Sequence, residues 1–411
     1  MVRNGRVTGT VVGVLAVLSP GQGAQKPGFL APWLQADRTA EARLRWWSVL
    51  AGVDLLHLGT AAGADEIKDT AKTQPLLVAA ALLAAGTLAD RSDPSGGLPD
   101  VAVVGGHSVG ELAAAALAGA LTSETAVALA GVRGREMAAA CAIEPTGMAA
   151  VLGGDEPEVL AAIEAHGLYP ANRNGAGQIV AAGATDRLEK FRDQPPAKTK
   201  VMALPVAGAF HTPYMASAER ALQALASGIT PADPAIILLS NLDGSSVDHG
   251  RELLTRLVRQ VTAPVRWDAC MRTLADLGVS AVIELPPAGT LAGLLKRELK
   301  GRGIPEIVTL NTPDDVPAAR DLIARHGGVP SHEPAPQFRV AVATGAGTFE
   351  PAAGLAEGDL VSAGQVIGHV TTRQGPVEVT AHDAGTLTEW LAHHDDPVAP
   401  GQPLARIGGL S

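Results

Sequence analysis

The residues with the clearest chemical potential lie in Gly106-His107-Ser108-Val109-Gly110. An apolar run, VAVV, leads into this pentapeptide, and an alanine-rich helical pattern, ELAAAALAGAL, leads out of it. A G-x-S-x-G nucleophile elbow needs that strand–turn–helix context, because the glycines let strand and helix come close while the bend turns the serine outward. The following helix also offers free backbone N–H groups to a developing oxyanion. A serine hydroxyl needs a base. Among eleven histidines, His211 in PVAGAFHTPYM stands where a strand pattern stops at a glycine and an aromatic, just before a helical pattern. Arg133, in VRGREM, carries a planar fork that can take a carboxylate through two parallel hydrogen bonds. Arg135, two residues on, reads as a solvated neighbour. Each residue alone has a bland counterpart: a turn serine, a helix-capping histidine, a surface arginine.

The elements that must position these side chains follow an α/β alternation. VLAVLS, VAVVGG, AIILLSN, AVIELPP and EIVTLN read as buried strands. QPLLVAAALLAAGTLAD, ELAAAALAGAL, SETAVALAGVRGREMAAACA and RWDACMRTLADLG read as helices between them. The alternation predicts a largely parallel sheet over residues 11–326. Its last helix should start at Thr312 as N-cap with Pro313 in the first helical position. Residues 140–206 break the rhythm: GMAAVLGG, QIVAAG and KVMALPVAG flank two helical patterns, which predicts an inserted β-α-β-β-α-β, ferredoxin-like subdomain.

Composition narrows the function classes. The 411 residues include 46% hydrophobic and 18% charged residues, with a formal net charge of −10. The length predicts two or three domains with real cores. The acidic balance argues against nucleic acid as the main partner. Two cysteines, Cys141 and Cys270, form no disulfide framework and point to a reducing, cytoplasmic setting. Residues 1–10 read as a disordered leader ahead of a buried strand, in preference to a signal peptide. No run reads as a membrane span, and no residue set reads as a metal site.

GGVPSHEPAPQF, rich in proline and glycine, reads as a linker over 327–338. Beyond it, residues 339–411 show short strands and an internal repeat: GTFEPAAGLAEGDLVSAGQVIGHV begins at Gly347, and GTLTEWLAHHDDPVAPGQPLARI at Gly385. Two such halves predict a small all-β sandwich from a duplicated unit. His393-His394-Asp395-Asp396 reads as a solvated turn, since neighbouring turn residues cannot all face one ion.

An ordered set of segments joins these readings: SPGQGAQ, GHSVGE, VRGREM, NRNGAGQIVAAG, GAFHTPYM, VRQVTAPVRW and ELPPAGTLAGL. Together they resemble the malonyl-CoA:acyl carrier protein transacylase family of fatty-acid and polyketide synthesis, across nearly all of residues 11–326. The resemblance implies an α/β-hydrolase-like core and a ping-pong transfer of malonyl from malonyl-CoA, through an ester on Ser108, to a carrier-protein phosphopantetheine thiol. It implies His211 as general base, oriented by backbone carbonyls, and Arg133 as the group that grips malonate. Gln22 and Val109 would form the oxyanion hole through backbone N–H groups, and Gln260 would lie near the carboxylate. Val109 and Phe210 match the malonyl-selective pattern, a bulky Phe210 crowding an α-methyl group by about 1–3 kcal/mol.

Carrier proteins are acidic, so Lys296, Arg297, Lys300 and Arg302, or Lys198 and Lys200, are candidate docking residues. Residues 339–411 resemble biotinyl or lipoyl domains, whose halves carry turns like EGDLVSAGQ and DDPVAPGQ. Those domains attach their cofactor to a lysine at a hairpin. The matching stretch, HVTTRQGPVEV, has none, nor does anything after Lys300, and Arg373 cannot form the amide. The expectation is a domain without biotin or lipoate, used for docking a partner or for tethering, or simply a vestige. Two rival readings differ in class. A serine thioesterase on an α/β-hydrolase fold would place its histidine late, in Ser…Asp…His order, and leave Arg133 without a task. A non-catalytic scaffold working through its C-terminal domain would have no need of Ser108, His211 and Arg133 together.

Overall fold

Strand β1, Val14–Ser19, occupies the centre of the main sheet and is buried along nearly its whole length. The structure is a computed structural model that describes residues 13–88, 98, 100–301, 303, 305–327, 338–372, 375–381 and 384–409. The expected leader, linker residues 328–337, Arg302 and Arg373 lie outside the described residues. The chain divides into two compact units, Met1–Pro330 and Ser331–Ser411.

In the first unit, β2 (Val103–Gly106) lies parallel to β1, with Ser19 opposite Gly106. The antiparallel sheet described below contributes β3 to β6. β7 (Ile237–Leu238), β8 (Val279–Glu284) and β9 (Glu306–Thr309) complete a five-stranded parallel sheet in the order β7-β2-β1-β8-β9. Its strands carry short, continuous apolar runs because helices cover both faces. AIILLSN shrinks to two ladder residues at the sheet edge, although Leu239 still donates to Val104 O at 3.0 Å. The helices Thr70–Ala85 and Ser123–Cys141 pack closely, using the small side chains that the aromatic-poor sequence supplies. Thr312 begins a single tight 3₁₀ turn, Pro313–Asp315, closed by a reciprocal cap with Asp315; the α-helix itself runs Val316–His326.

Between the helix Ser123–Cys141 and β7, the strands β3 (Thr146–Gly153), β4 (Tyr169–Arg173), β5 (Gln178–Ala184) and β6 (Thr199–Ala203) form an antiparallel sheet in the order β4-β5-β3-β6. The helices Glu156–Ala165 and Thr185–Asp193 complete a β-α-β-β-α-β order. The strand pattern of KVMALPVAG stops at Ala203, because Pro205 has no N–H for the ladder. His211 therefore sits in an irregular bend rather than at a strand end. β4 also bonds back to the main body: Arg173 N donates to Val265 O, and Val265 N to Ala171 O, both at 2.9 Å.

The second unit holds β10 (Phe338–Val342), β11 (Gly347–Pro351), β12 (Leu360–Val361), β13 (Val366–Thr372), β14 (Gly375–Thr380), β15 (Gly385–Trp390), β16 (Pro397–Val398) and β17 (Pro403–Gly409). They form two four-stranded sheets, β10-β17-β15-β12 and β14-β13-β11-β16. Phe349, Ile367, Val370, Leu387 and Leu404 are fully buried in the core of this unit.

Candidate active site

The elbow is built by backbone proximity. A Cβ added to Gly106 would lie 2.1 Å from the Gly110 carbonyl group, and one added to Gly110 would lie 2.2 Å from Ser19 O. Only hydrogen fits at either position, so β2 can pass directly into the helix Gly110–Leu117 beside β1. The resulting bend holds Ser108 at φ +53°, a left-handed conformation rare for a residue with a side chain. Asn241, just beyond β7, brackets the bend: Ser108 N donates to its Oδ1 at 2.7 Å, and its Nδ2 donates to Gly106 O at 2.7 Å.

Ser108 Oγ and His211 Nε2 are 2.7 Å apart. His211 is also left-handed, at φ +60°, and only 4% exposed. Its Nδ1–H donates to Gln260 O at 2.8 Å, and the Ala263 carbonyl gives further support. That bond leaves the Nε2 lone pair facing the serine hydroxyl. Burial, and then repulsion from Arg133, push the imidazole down to about 3, so it is neutral and able to accept a proton near neutral pH. No carboxylate takes part in orienting the base among the described residues. Because support comes from main-chain carbonyls, the side-chain type at Ala263 matters little to it.

Arg133 projects from the helix Ser123–Cys141 and is 3% exposed. Its Nη2 lies 3.3 Å from Ser108 Oγ and donates to Gln260 Oε1 at 2.8 Å, while Nη1 donates to Gln74 Oε1. Burial lowers its guanidinium to about 10, still cationic at neutral pH. The structure thus brings Ser108, His211, Arg133 and Gln260 into one cluster. Phe210 is buried next to the base in sequence. A Cβ on Gly21 would meet His107 O at 2.9 Å, so the turn carrying Gln22 lies against the elbow. Among the described residues the backbone N–H groups of Gln22 and Val109 have no protein acceptor. The Gln22 side chain itself points elsewhere, donating to Lys68 O at 3.4 Å. Arg135 is exposed and pairs with Glu136.

Four neighbours escaped sequence reasoning. Gln74 holds Arg133, Asn241 brackets the elbow, and Asn174 Oδ1 lies 2.9 Å from His107 Nε2. Glu111 sits in the first turn after the elbow, 1% exposed, with Asn241 N donating to its Oε1 at 3.0 Å and Gln260 Nε2 to its Oε2. Glu111 interrupts an apolar run, and Gln74 and Asn241 stand at the edges of such runs, whereas Asn174 lies among polar residues and carries no such mark. For the first three that is the available signal, because buried polar groups persist where they have partners.

The remaining expected features lie elsewhere. Lys296, Arg297, Lys300, Lys198 and Lys200 are exposed. His393–Asp396 forms an exposed turn in which His393 N donates to Asp396 Oδ2 at 2.7 Å. Among the described residues no group of His, Cys, Asp or Glu comes together as a metal site, and no helix is long and apolar enough to cross a membrane. Cys141 and Cys270 are free thiols. β13 and β14 form the antiparallel hairpin that flanks Arg373.

Comparison with known proteins places the chain among acyl transferases. The family described as acyl transferase domain matches residues 18–319, and that described as biotin-requiring enzyme matches residues 342–407. Malonyl CoA-acyl carrier protein transacylase of Mycobacterium bovis is 55% identical over 288 residues, covering 70% of this chain and 94% of that protein. The crystal structure of MCAT from Mycobacterium tuberculosis superposes with a TM-score of 0.70 at 53% identity, covering 75% of this chain and 99% of the other. A malonyl-transacylase solved with its holo type II polyketide-synthase acyl carrier protein gives 0.68 at 26% identity, covering 75% and 99%. With its serine, imidazole and guanidinium converging on an α/β scaffold, and a biotinyl/lipoyl-type domain appended, this chain belongs to the malonyl-CoA:acyl carrier protein transacylase family.

Proposed function

We propose that the chain moves a malonyl group from malonyl-CoA to the phosphopantetheine thiol of an acyl carrier protein, through a malonyl ester on Ser108. His211 Nε2 takes the hydroxyl proton as Ser108 Oγ attacks the thioester carbonyl carbon. The oxyanion is received by the free N–H groups of Gln22 and Val109. The C–S bond then breaks, and coenzyme A leaves with the proton that His211 held. In the second half the carrier thiol gives its proton to His211, its sulfur attacks the ester carbonyl, and Ser108 Oγ departs and regains a proton. Arg133 grips the free carboxylate throughout, with Gln260 holding the fork and Phe210 narrowing the space for an α-substituent.

The observation that carries this reading is that one hydroxyl lies within 2.7 Å of a neutral imidazole and 3.3 Å of a buried guanidinium. A thioesterase acting on neutral acyl chains has no use for that cation at the nucleophile. Intact-protein mass measurement after mixing with malonyl-CoA, and then with a holo carrier protein, tests it. A malonyl adduct should appear, vanish from Ser108→Ala, and pass to the carrier faster than to water. Release mainly as free malonate would favour the hydrolase.

Further readings belong to the same proposal. The order β4-β5-β3-β6 supports a ferredoxin-like subdomain, and the elbow on a parallel sheet supports an α/β-hydrolase-like core. The exposed Lys296, Arg297 and Lys300 support carrier docking near the end of the helix Thr290–Glu298. The product feeds fatty-acid or polyketide synthesis in the cytoplasm. The C-terminal domain, lacking any lysine, works without biotin or lipoate and serves docking or tethering.

A further inference from the structure

Glu111 places a carboxylate where the alanine-rich helix Gly110–Leu117 would otherwise bury an apolar side chain. Removing a carboxylate from water is costly unless its partners require it. Its partners are donors, the Ser240 hydroxyl among them. Asn241 N occupies Oε1, and Gln260 Nε2 occupies Oε2. Gln260 Nε2 also donates to Ser108 O at 3.1 Å and faces Asn241 Oδ1 at 3.3 Å. A primary amide can rotate end for end, exchanging its oxygen and nitrogen at almost no steric cost. A carboxylate only accepts, so Glu111 admits a single orientation: Nε2 towards itself and Oε1 towards Arg133.

We propose that Glu111 is a positioning residue: by fixing which way the Gln260 amide faces, it holds the Arg133 fork against Ser108 and thereby supports selection of carboxylated acyl groups. The inference rests on Arg133 being the carboxylate clamp. Glu111 need not touch the substrate. Burial raises its carboxyl to about 7, against the pull of Asn241 N, Gln260, the Ser240 hydroxyl and Arg133. In either protonation state one oxygen can accept from Gln260 while the other accepts from the fixed Asn241 backbone.

Glu111→Gln removes this constraint while keeping size. Asn241 N cannot move, so it takes the new amide oxygen, and the new NH₂ then confronts Gln260 Nε2. Gln260 must turn over and present donors to Arg133, which loses its acceptor. The full-length variant should acylate with malonyl-CoA at a kcat/KM lower by roughly ten- to a hundred-fold, mainly through KM, while acetyl-CoA acylation stays within about twofold. A variant that is merely less well folded would lose both substrates equally, and that equal loss, or an unchanged malonyl/acetyl ratio, overturns the proposal. Should Glu111→Gln fail to fold, Glu111→Asp gives the same readout, since it keeps the charge but shortens the reach: a lowered ratio supports the role and an unchanged ratio refutes it. Arg133→Ala, measured alongside, separates the two levels. A ratio that moves for Arg133→Ala but not at position 111 rejects only the role of Glu111; a ratio unmoved by Arg133→Ala rejects the clamp itself.

Discussion

Ser108 and His211 meet at 2.7 Å from two left-handed backbone positions, φ +53° and +60°. For residues with side chains that conformation costs about 1–3 kcal/mol each. Neither position is left to hold itself. Asn241 ties Ser108 N to Gly106 O across the elbow, and the Gln260 carbonyl anchors His211. The surrounding fold thus keeps hydroxyl and imidazole in register before any substrate arrives.

That arrangement depends on close packing at Gly110, where a methyl group would sit 2.2 Å from Ser19 O. Main-chain oxygen in the central strand cannot yield easily. Gly110→Ala should destabilise the fold by about 2–3 kcal/mol and separate the elbow from β1. Urea unfolding measures this; a midpoint equal to that of the parent chain would contradict the packing argument.

Arg133 is buried with its fork partly satisfied by Gln74 and Gln260. With acetyl-CoA no carboxylate reaches it, and the cation gains nothing. Arg133→Ala should therefore lower malonyl acylation by roughly ten- to a hundred-fold while acetyl acylation holds or rises. Competition between the two thioesters, read by adduct mass, decides it.

His211 also links stability to pH. Its ordinary value is 6.5, whereas burial keeps it neutral in the fold down to about 3. On acidification the unfolded chain takes up this proton first, so the contribution is whole above 6.5 and is lost progressively as pH falls towards 3. His211→Asn keeps a residue tolerant of left-handed backbone and removes the titration. Its melting temperature should fall less between pH 7 and pH 5 than that of the parent chain. Parallel declines would show that His211 is not the group responsible.

In the C-terminal domain no lysine follows Lys300. Co-expression with a biotin or lipoate ligase should leave this region at its unmodified mass, because neither cofactor can form its amide without a primary amine. An adduct mapped within residues 339–411 would overturn the reading.

Much of this was legible in the chain itself. The alternation of apolar runs and helical patterns predicts the parallel sheet. The glycine–serine–glycine spacing marks the elbow, and the duplicated turn predicts a β-sandwich. His211 was legible only through its flanking residues, since one histidine in a bend resembles any other. Short-range patterns work here because strand burial and turn geometry are decided by neighbours.

What the sequence by itself determined was therefore the element order, the elbow and the identity of the three reactive groups. Tertiary structure alone decided that Gln74, Glu111 and Asn241 serve them, and how Gln260, already singled out in the sequence, joins Glu111 to Arg133. Gln74, Glu111, Asn241 and Gln260 come from four separate elements, and Glu111 and Gln260 meet across 149 positions of chain. Their pairing depends on where the sheet brings those elements together, and a hydrogen bond between distant residues leaves no periodicity in either of the segments it joins.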